Sequence, residues 1–117
     1  MTKDVRHIAT TAQKKGAAEL LILAQLEVEP THGYQIARLI TERSGGVVSF
    51  TVTSLYPILY SLEDRGLIIG KWVEKAGQRR RRYYHLTAQG KRALSDQREI
   101  WSDFMRAIQQ ASGLGYA

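Results

Sequence analysis

The side chains best suited to chemistry in this chain are cationic and hydroxylic, and they fall into two groups. One is the run Arg79-Arg80-Arg81-Arg82, followed directly by Tyr83-Tyr84. The other lies upstream, where Thr53, Ser54, Tyr56 and Tyr60 surround Pro57. Guanidinium groups bind phosphate oxygens, and hydroxyls donate to phosphates or exchange hydrogen bonds with base edges. Covalent chemistry is poorly supplied. His7, His32 and His85 are widely spaced, with no pair at the helical spacing of a metal site, and there is no cysteine. There is no Gly-x-Ser-x-Gly and no phosphate loop, and Gly45-Gly46 reads as a break between helices rather than a dinucleotide fingerprint. The chain is therefore expected to bind rather than catalyse, with no cofactor and no metal.

Bulk properties agree. The 117 residues suit one compact domain with room for an added arm, and a hydrophobic content of 44% is enough for a core. No stretch approaches the ~20 apolar residues of a membrane span. The first residues, Met1 to His7, lack the apolar region of a signal peptide, and a cytoplasmic protein is the simplest expectation. The formal net charge of +6 favours a polyanionic partner, nucleic acid or an anionic membrane surface. Four of the seventeen Lys and Arg residues are consecutive, and this placement favours nucleic acid.

These side chains need elements to position them. Residues 1–15 are polar and basic and read as an N-terminal arm or a short extra helix. From Gly16, the apolar residues Ala17, Leu20, Leu21, Leu23, Ala24 and Leu26 cover nearly every face of a buried helix that ends between Glu27 and Pro30. Thr31 is a good cap for a second helix, carried by Tyr34, Ile36, Ala37, Leu39 and Ile40 to about Arg43. Val47 to Thr51 is β-branched and aromatic and reads as a short strand. A third helix follows, capped by Thr51 or Thr53. Pro57 is tolerated in an opening turn, which sets the helix start near Thr53. Leu55, Leu59 and Leu62, flanked by Ile58, share one stripe of it, and Ser54, Tyr60, Ser61 and Asp64 lie opposite. Gly66 ends it. Leu67 to Glu74 and Arg81 to Leu86 form two strands joined by Lys75 to Arg79. Thr87 caps a last helix running to about Ala111, in which Leu94, Trp101 and Ile108 recur seven apart with Phe104 and Ala111 on the adjacent row. The fold class is mostly α with a small β-hairpin: a winged helix-turn-helix over 16–86, a long C-terminal helix over 87–112, and a disordered tail over 113–117.

That layout assigns roles. The third helix would enter a major groove with its N-terminal residues first, namely Thr53, Ser54, Tyr56 and Pro57, with Tyr60 one turn later. The plainer reading is a polar solvent face, and Tyr56 lies close enough to Leu55 and Leu59 to belong partly to the core. Side chains alternate along a strand, so the four arginines cannot share one face. Arg79 and Arg80, nearest the turn, are the first choices for phosphate or minor-groove contact. Arg81 and Arg82 serve phosphates or support Tyr83 and Tyr84; alternatively the run is a solvated cluster. Tyr34, at the start of the second helix, is either a clamp on the DNA backbone or a packing residue. His32 is read as structural. The stripe Leu94/Trp101/Phe104/Ile108 is the candidate homodimer interface, joined by residues 5–15, unless the helix folds back on its own domain.

These residues in this order resemble the PadR family of bacterial transcriptional regulators. The similarity runs through Pro30-Thr31-His32-Gly33-Tyr34-Gln35-Ile36, Ser54-Leu55-Tyr56-Pro57, Leu62-Glu63, Gly66-Leu67-Ile68, Trp72 and Arg80-Arg81-Arg82-Tyr83-Tyr84-His85-Leu86-Thr87, with Gly90 following. It spans roughly residues 16 to 108, and the single C-terminal helix resembles the short branch of the family. The resemblance implies a winged-helix dimer that represses transcription from a pseudo-palindromic operator on double-stranded DNA, and a small-molecule inducer. In multidrug-responsive members a tryptophan of the last helix stacks on flat aromatic drugs at the dimer centre. Trp101 matches that position, with Ile100, Phe104 and Ile108 as walls, or else Trp101 simply fills the dimer core. The chain departs from the family at Thr53, where Gly is frequent. A β-branched residue there disfavours an unusual backbone and adds a hydroxyl at the surface. The rival readings are a winged-helix regulator of another family, or a module that binds RNA or protein.

Overall fold

The computed structural model describes residues 11–77 and 79–114. Helix α1 spans Thr11–Val28. Its apolar circumference matches its place, because Ile22, Leu23 and Leu26 are buried in the core while Leu20, Leu21 and Ala24 pack partly against it. The helix begins at Thr11 rather than Gly16, so residues 11–15 belong to it and not to a separate arm. The rest of the expected arm, and residues 115–117 of the expected disordered tail, lie outside the described residues.

A short strand, β1 (Thr31–His32), leads into α2 (Gly33–Arg43). The sequence reading differs here in two ways. Thr31 is not the cap, since its hydroxyl donates back to the Glu29 carbonyl at 2.9 Å. The cap is His32, whose Nδ1 accepts from the Gln35 N–H at 3.3 Å. The expected strand over 47–51 is absent. Val48 and Phe50 pack against the core from a loop, held by the Ser44 hydroxyl, which accepts from the Val48 N–H and donates to the Val48 carbonyl. β-Branched residues form a strand only against a partner edge. The edge of β3 (Arg81–Leu86) away from β2 (Ile68–Val73) is taken by β1, with Thr31 opposite Tyr84 and His32 opposite Tyr83. The sheet is thus three-stranded and antiparallel in the order β1-β3-β2.

Helix α3 (Val52–Asp64) is capped by Thr51, whose Oγ1 accepts from the Ser54 N–H at 3.1 Å. Pro57 consequently sits in the second turn, later than expected. There it leaves the Thr53 carbonyl without its intrahelical donor, and Thr53 is exposed to water that can replace it. Thr53 has an ordinary helical backbone, so the departure from Gly causes no strain at this position. Leu55, Leu59 and Leu62 are fully buried, as their spacing predicts. Gly66 closes the helix at φ +78°, with its N–H bonded to the Glu63 carbonyl and the Leu67 N–H bonded to the Leu62 carbonyl. That paired arrangement satisfies carbonyls the helix end leaves free.

Helix α4 (Ala88–Ser112) starts on a fixed seat. Thr87 accepts from the Gly90 N–H and donates from its hydroxyl toward the Gly66 and Leu67 carbonyls. A Cβ at Gly90 would collide with the Leu67 carbonyl oxygen and with a Leu86 methyl at 2.7 Å. Backbone cannot yield as a flexible side chain can, so Gly90→Ala is expected to destabilise the fold by about 3 kcal/mol, the upper range for overpacking. A melting temperature equal to that of the unmutated protein would show that the seat can shift.

Leu94 is 2% exposed and belongs to the core of its own chain, which corrects its assignment to the dimer interface. Farther along, α4 is tied to α1 by Arg98, which holds both Glu27 carboxylate oxygens at 2.9 and 3.2 Å. Beyond Trp101, every residue of the helix is exposed.

Candidate nucleic-acid interface

Three elements converge on one open groove of about 510 Å³. Helix α3 contributes Val52, Tyr56 and Tyr60, α2 contributes Tyr34, and the hairpin contributes Trp72, Arg79, Arg80, Arg81 and Arg82. The groove therefore combines aromatic faces with a row of guanidinium groups. Such a surface stacks on or hydrogen-bonds to a nucleic acid while neutralising its phosphates.

On α3, Thr53, Ser54 and Pro57 are exposed in the first two turns and Tyr60 in the third, and of these Tyr60 lines the groove. Ser54 is partly engaged, because its hydroxyl donates to the Thr51 carbonyl at 3.0 Å. Tyr56 is half-buried, packed against Gly33 of α2 and stacked on Tyr60 with ring centroids 5.9 Å apart. Tyr56 thus fills the α2–α3 crossing and lines the groove at the same time. Tyr34 is exposed one residue into α2, near the helix's free N–H groups, so it is not a core residue.

The arginines divide as strand alternation requires. Arg79 and Arg80 lie ahead of β3 and are exposed, and among the described residues no carboxylate forms an ion pair with either. Arg81 is exposed, and its Nη1 stands 2.9 Å from His32 Nε2. Arg82 is not exposed. It crosses β2 at Gly70 and donates to Glu63 on α3 at 2.6 Å, and the same carboxylate oxygen accepts from the Gly70 N–H. Burial works to lower the pKa of the Arg82 guanidinium, but the hydrogen bond and charge of Glu63 outweigh it and hold the group above its usual range. Arg82 is thus a tie between hairpin and α3.

Residue types alone did not assign Trp72 or His32 to the groove, nor Glu63 to the tie that holds Arg82. Trp72 is 55% exposed, with the Arg80 guanidinium 4.6 Å from its ring centroid and the Arg82 guanidinium 5.7 Å away. Its position opposite Arg82 depends on strand register, which the sequence leaves open. Tyr84 is fully buried beneath them, and its hydroxyl has no hydrogen-bond partner among the described residues; burial pushes its pKa up.

His32 meets donors on both sides, the Gln35 N–H at Nδ1 and the Arg81 guanidinium at Nε2. A neutral imidazole carries one N–H and accepts at only one nitrogen, so the ring is under-satisfied, and a second proton would set donor against donor on both sides. Burial, then the charges of Arg81 and Arg38, lowers its pKa below the usual value. The unfolded chain takes up this proton at about pH 6.5 and the folded chain only lower. The contribution of His32 to stability is therefore fully present above that pH and is lost as pH falls through the folded value. Asn retains a cap acceptor and does not titrate, so His32→Asn should flatten the fall in melting temperature between about pH 7 and pH 5. An unaltered slope would assign the titration elsewhere.

Midway along α4, Trp101 is half-buried, with the edge of its ring over Gly16 of α1 and a T-shaped contact to Phe104 at 5.9 Å. Phe104 is 54% and Ile108 41% exposed, and Ile100 and Met105 are exposed beside them. The outer half of the helix thus carries an apolar face that the described residues of its own chain do not cover. No helix in the described residues is long and apolar enough to cross a membrane.

Known proteins share this fold. The family model "Transcriptional regulator PadR-like family" matches residues 22–96. A transcriptional regulator from Clostridium thermocellum superposes with a TM-score of 0.79 at 24% identity, covering 88% of this chain and 97% of its own. A PadR family transcriptional regulator from Eggerthella lenta gives 0.75 at 25% identity, over 89% and 88% of the two chains. A protein from Streptococcus mutans is 33% identical, with a TM-score of 0.73 over 87% of this chain and 92% of that one.

Proposed function

The chain belongs to the PadR-like family of transcriptional regulators and is a DNA-binding regulator, and from that premise we propose that it acts as a homodimeric repressor of a pseudo-palindromic operator. The observation that carries the reading is the groove in which Tyr56 and Tyr60 of α3 and Tyr34 of α2 face exposed arginines of the hairpin, with Thr53, Ser54 and Pro57 exposed on the same helix as Tyr56, outside it. In this reading Thr53, Ser54, Tyr56, Pro57 and Tyr60 enter the major groove and read base edges. Arg79, Arg80 and Arg81 take phosphates or the adjacent minor groove, and Tyr34 clamps the backbone beside them. A single winged helix touches few base pairs, so specificity requires two. The outer face of Trp101, Phe104 and Ile108 supplies the second copy, and the repressor acts in the cytoplasm, beside the chromosome.

The same face supports an effector site. Trp101 and Phe104 stand at right angles, with Ile100 and Ile108 nearby, and in a dimer such walls would hold a flat aromatic molecule by stacking. The decisive test is fluorescence anisotropy of the protein on its own upstream DNA against a scrambled duplex across a salt series. A preference that survives near-physiological salt supports an autoregulating repressor. Equal and steeply salt-sensitive binding to both would reduce the interaction to charge, and no binding at low salt would remove the arginine groove from consideration.

A further inference from the structure

Trp72 is a large apolar side chain left more than half in solvent, yet two cations lie over its ring, Arg80 and Arg82. The two arginines differ. Arg82 is anchored, because Glu63 on α3 holds it at 2.6 Å and Gly70 leaves open the space its side chain crosses. Arg80 forms no ion pair among the described residues, and it rests on the indole face at 4.6 Å. A continuous line of contacts therefore runs from the C-terminal end of α3 to the hairpin: Glu63, Arg82, Trp72, Arg80. A free arginine on a hairpin tip would lose side-chain entropy when it engages a phosphate or a groove. An indole ring restrains the guanidinium beforehand and leaves its N–H groups free to donate.

We propose that Trp72, braced by Arg82 and Glu63, is a positioning residue that holds Arg80 at a set distance from α3, so that helix and hairpin meet DNA in one register. This rests on the reading of the groove as the DNA-binding surface. Trp72 itself need not touch DNA.

The test is a double-mutant cycle read by anisotropy on the upstream duplex at one fixed salt, using the full chain. Trp72→Ala and Arg80→Ala should each weaken binding about three- to tenfold, the range of one restrained cationic contact. The double variant should bind no more weakly than Arg80→Ala alone. Glu63→Gln should likewise weaken binding when Arg80 is present and be silent when it is alanine. A damaged fold would weaken binding in the Arg80→Ala background as well, so silence there separates positioning from folding. Trp72→Phe keeps an aromatic face and should restore most of the loss. Additive effects of Trp72→Ala and Arg80→Ala would overturn the proposal in favour of direct contact between Trp72 and DNA, and so would a Trp72→Phe as weak as Trp72→Ala. Unchanged binding by Arg80→Ala removes the contact that Trp72 is said to position and overturns it too. Failure of the unmutated protein to bind either duplex would instead overturn the underlying DNA-groove reading.

Discussion

Replacing Arg79 and Arg80 together with alanine is expected to weaken binding to every duplex by about a hundredfold near physiological salt, with sequence preference largely retained. Each phosphate engaged by a cation releases condensed counterion, and the slope of log K against log salt falls by about 0.9 for each phosphate no longer neutralised. The proposed dimer carries two hairpins, so removing two cations from each should lower the slope by roughly 3 to 4. The folded state should not suffer, because both side chains are exposed and neither forms an ion pair among the described residues. The control is Arg82→Ala, which breaks the tie to Glu63 and should lower stability as well as binding. A slope unchanged in the double variant, measured by anisotropy from low to physiological salt, would remove these residues from the phosphate-binding set.

Phe104→Glu combined with Ile108→Glu is expected to convert the proposed dimer to a folded monomer and to weaken operator binding. Both side chains are outside the core of their own chain, so the charge is placed in water in the monomer and against an apolar partner in the dimer. Two half-sites then bind independently, and the gain from linking them, on the order of a hundredfold or more, disappears. Sedimentation velocity reads the mass directly, and circular dichroism checks that the helices persist. A dimer of unchanged mass would locate the interface elsewhere. Trp101→Glu is a less clean probe, because Trp101 also covers Gly16 of its own α1.

The helices and the hairpin were legible because each is written in local terms. The Leu55/Leu59/Leu62 stripe, the left-handed Gly66 and the Thr87 cap depend on neighbours a few residues away. What failed depended on pairing across the chain. Val47 to Thr51 has strand-forming residues and no free edge, whereas Thr31–His32 is only two residues long and lies alongside β3. Propensity likewise favoured Thr31 as a cap, while the observed acceptor is a histidine ring one residue later. Leu94 fits a seven-residue seam equally well whether it faces a second copy or its own core, and only packing decides. The candidate site was half visible for the same reason. Residue types pointed to α3 and the arginines, but a run of four arginines does not reveal that one is a tie and another rests on a tryptophan.

The seat of α4 has a mechanical consequence. Thr87 and Gly90 hold the first turn of that helix against the carbonyls that follow α3, so the two helices cannot hinge independently there. Helix α4 has 25 residues and so acts as a lever of about 37 Å. In the proposed dimer, a tilt of about 5° at its outer end would swing the groove by about 3 Å, close to the rise of one base pair along duplex DNA. Half-site spacing would then be tuned at the fulcrum, far from any residue that touches a base. Substitutions there would retune which operators are accepted without altering the reading head.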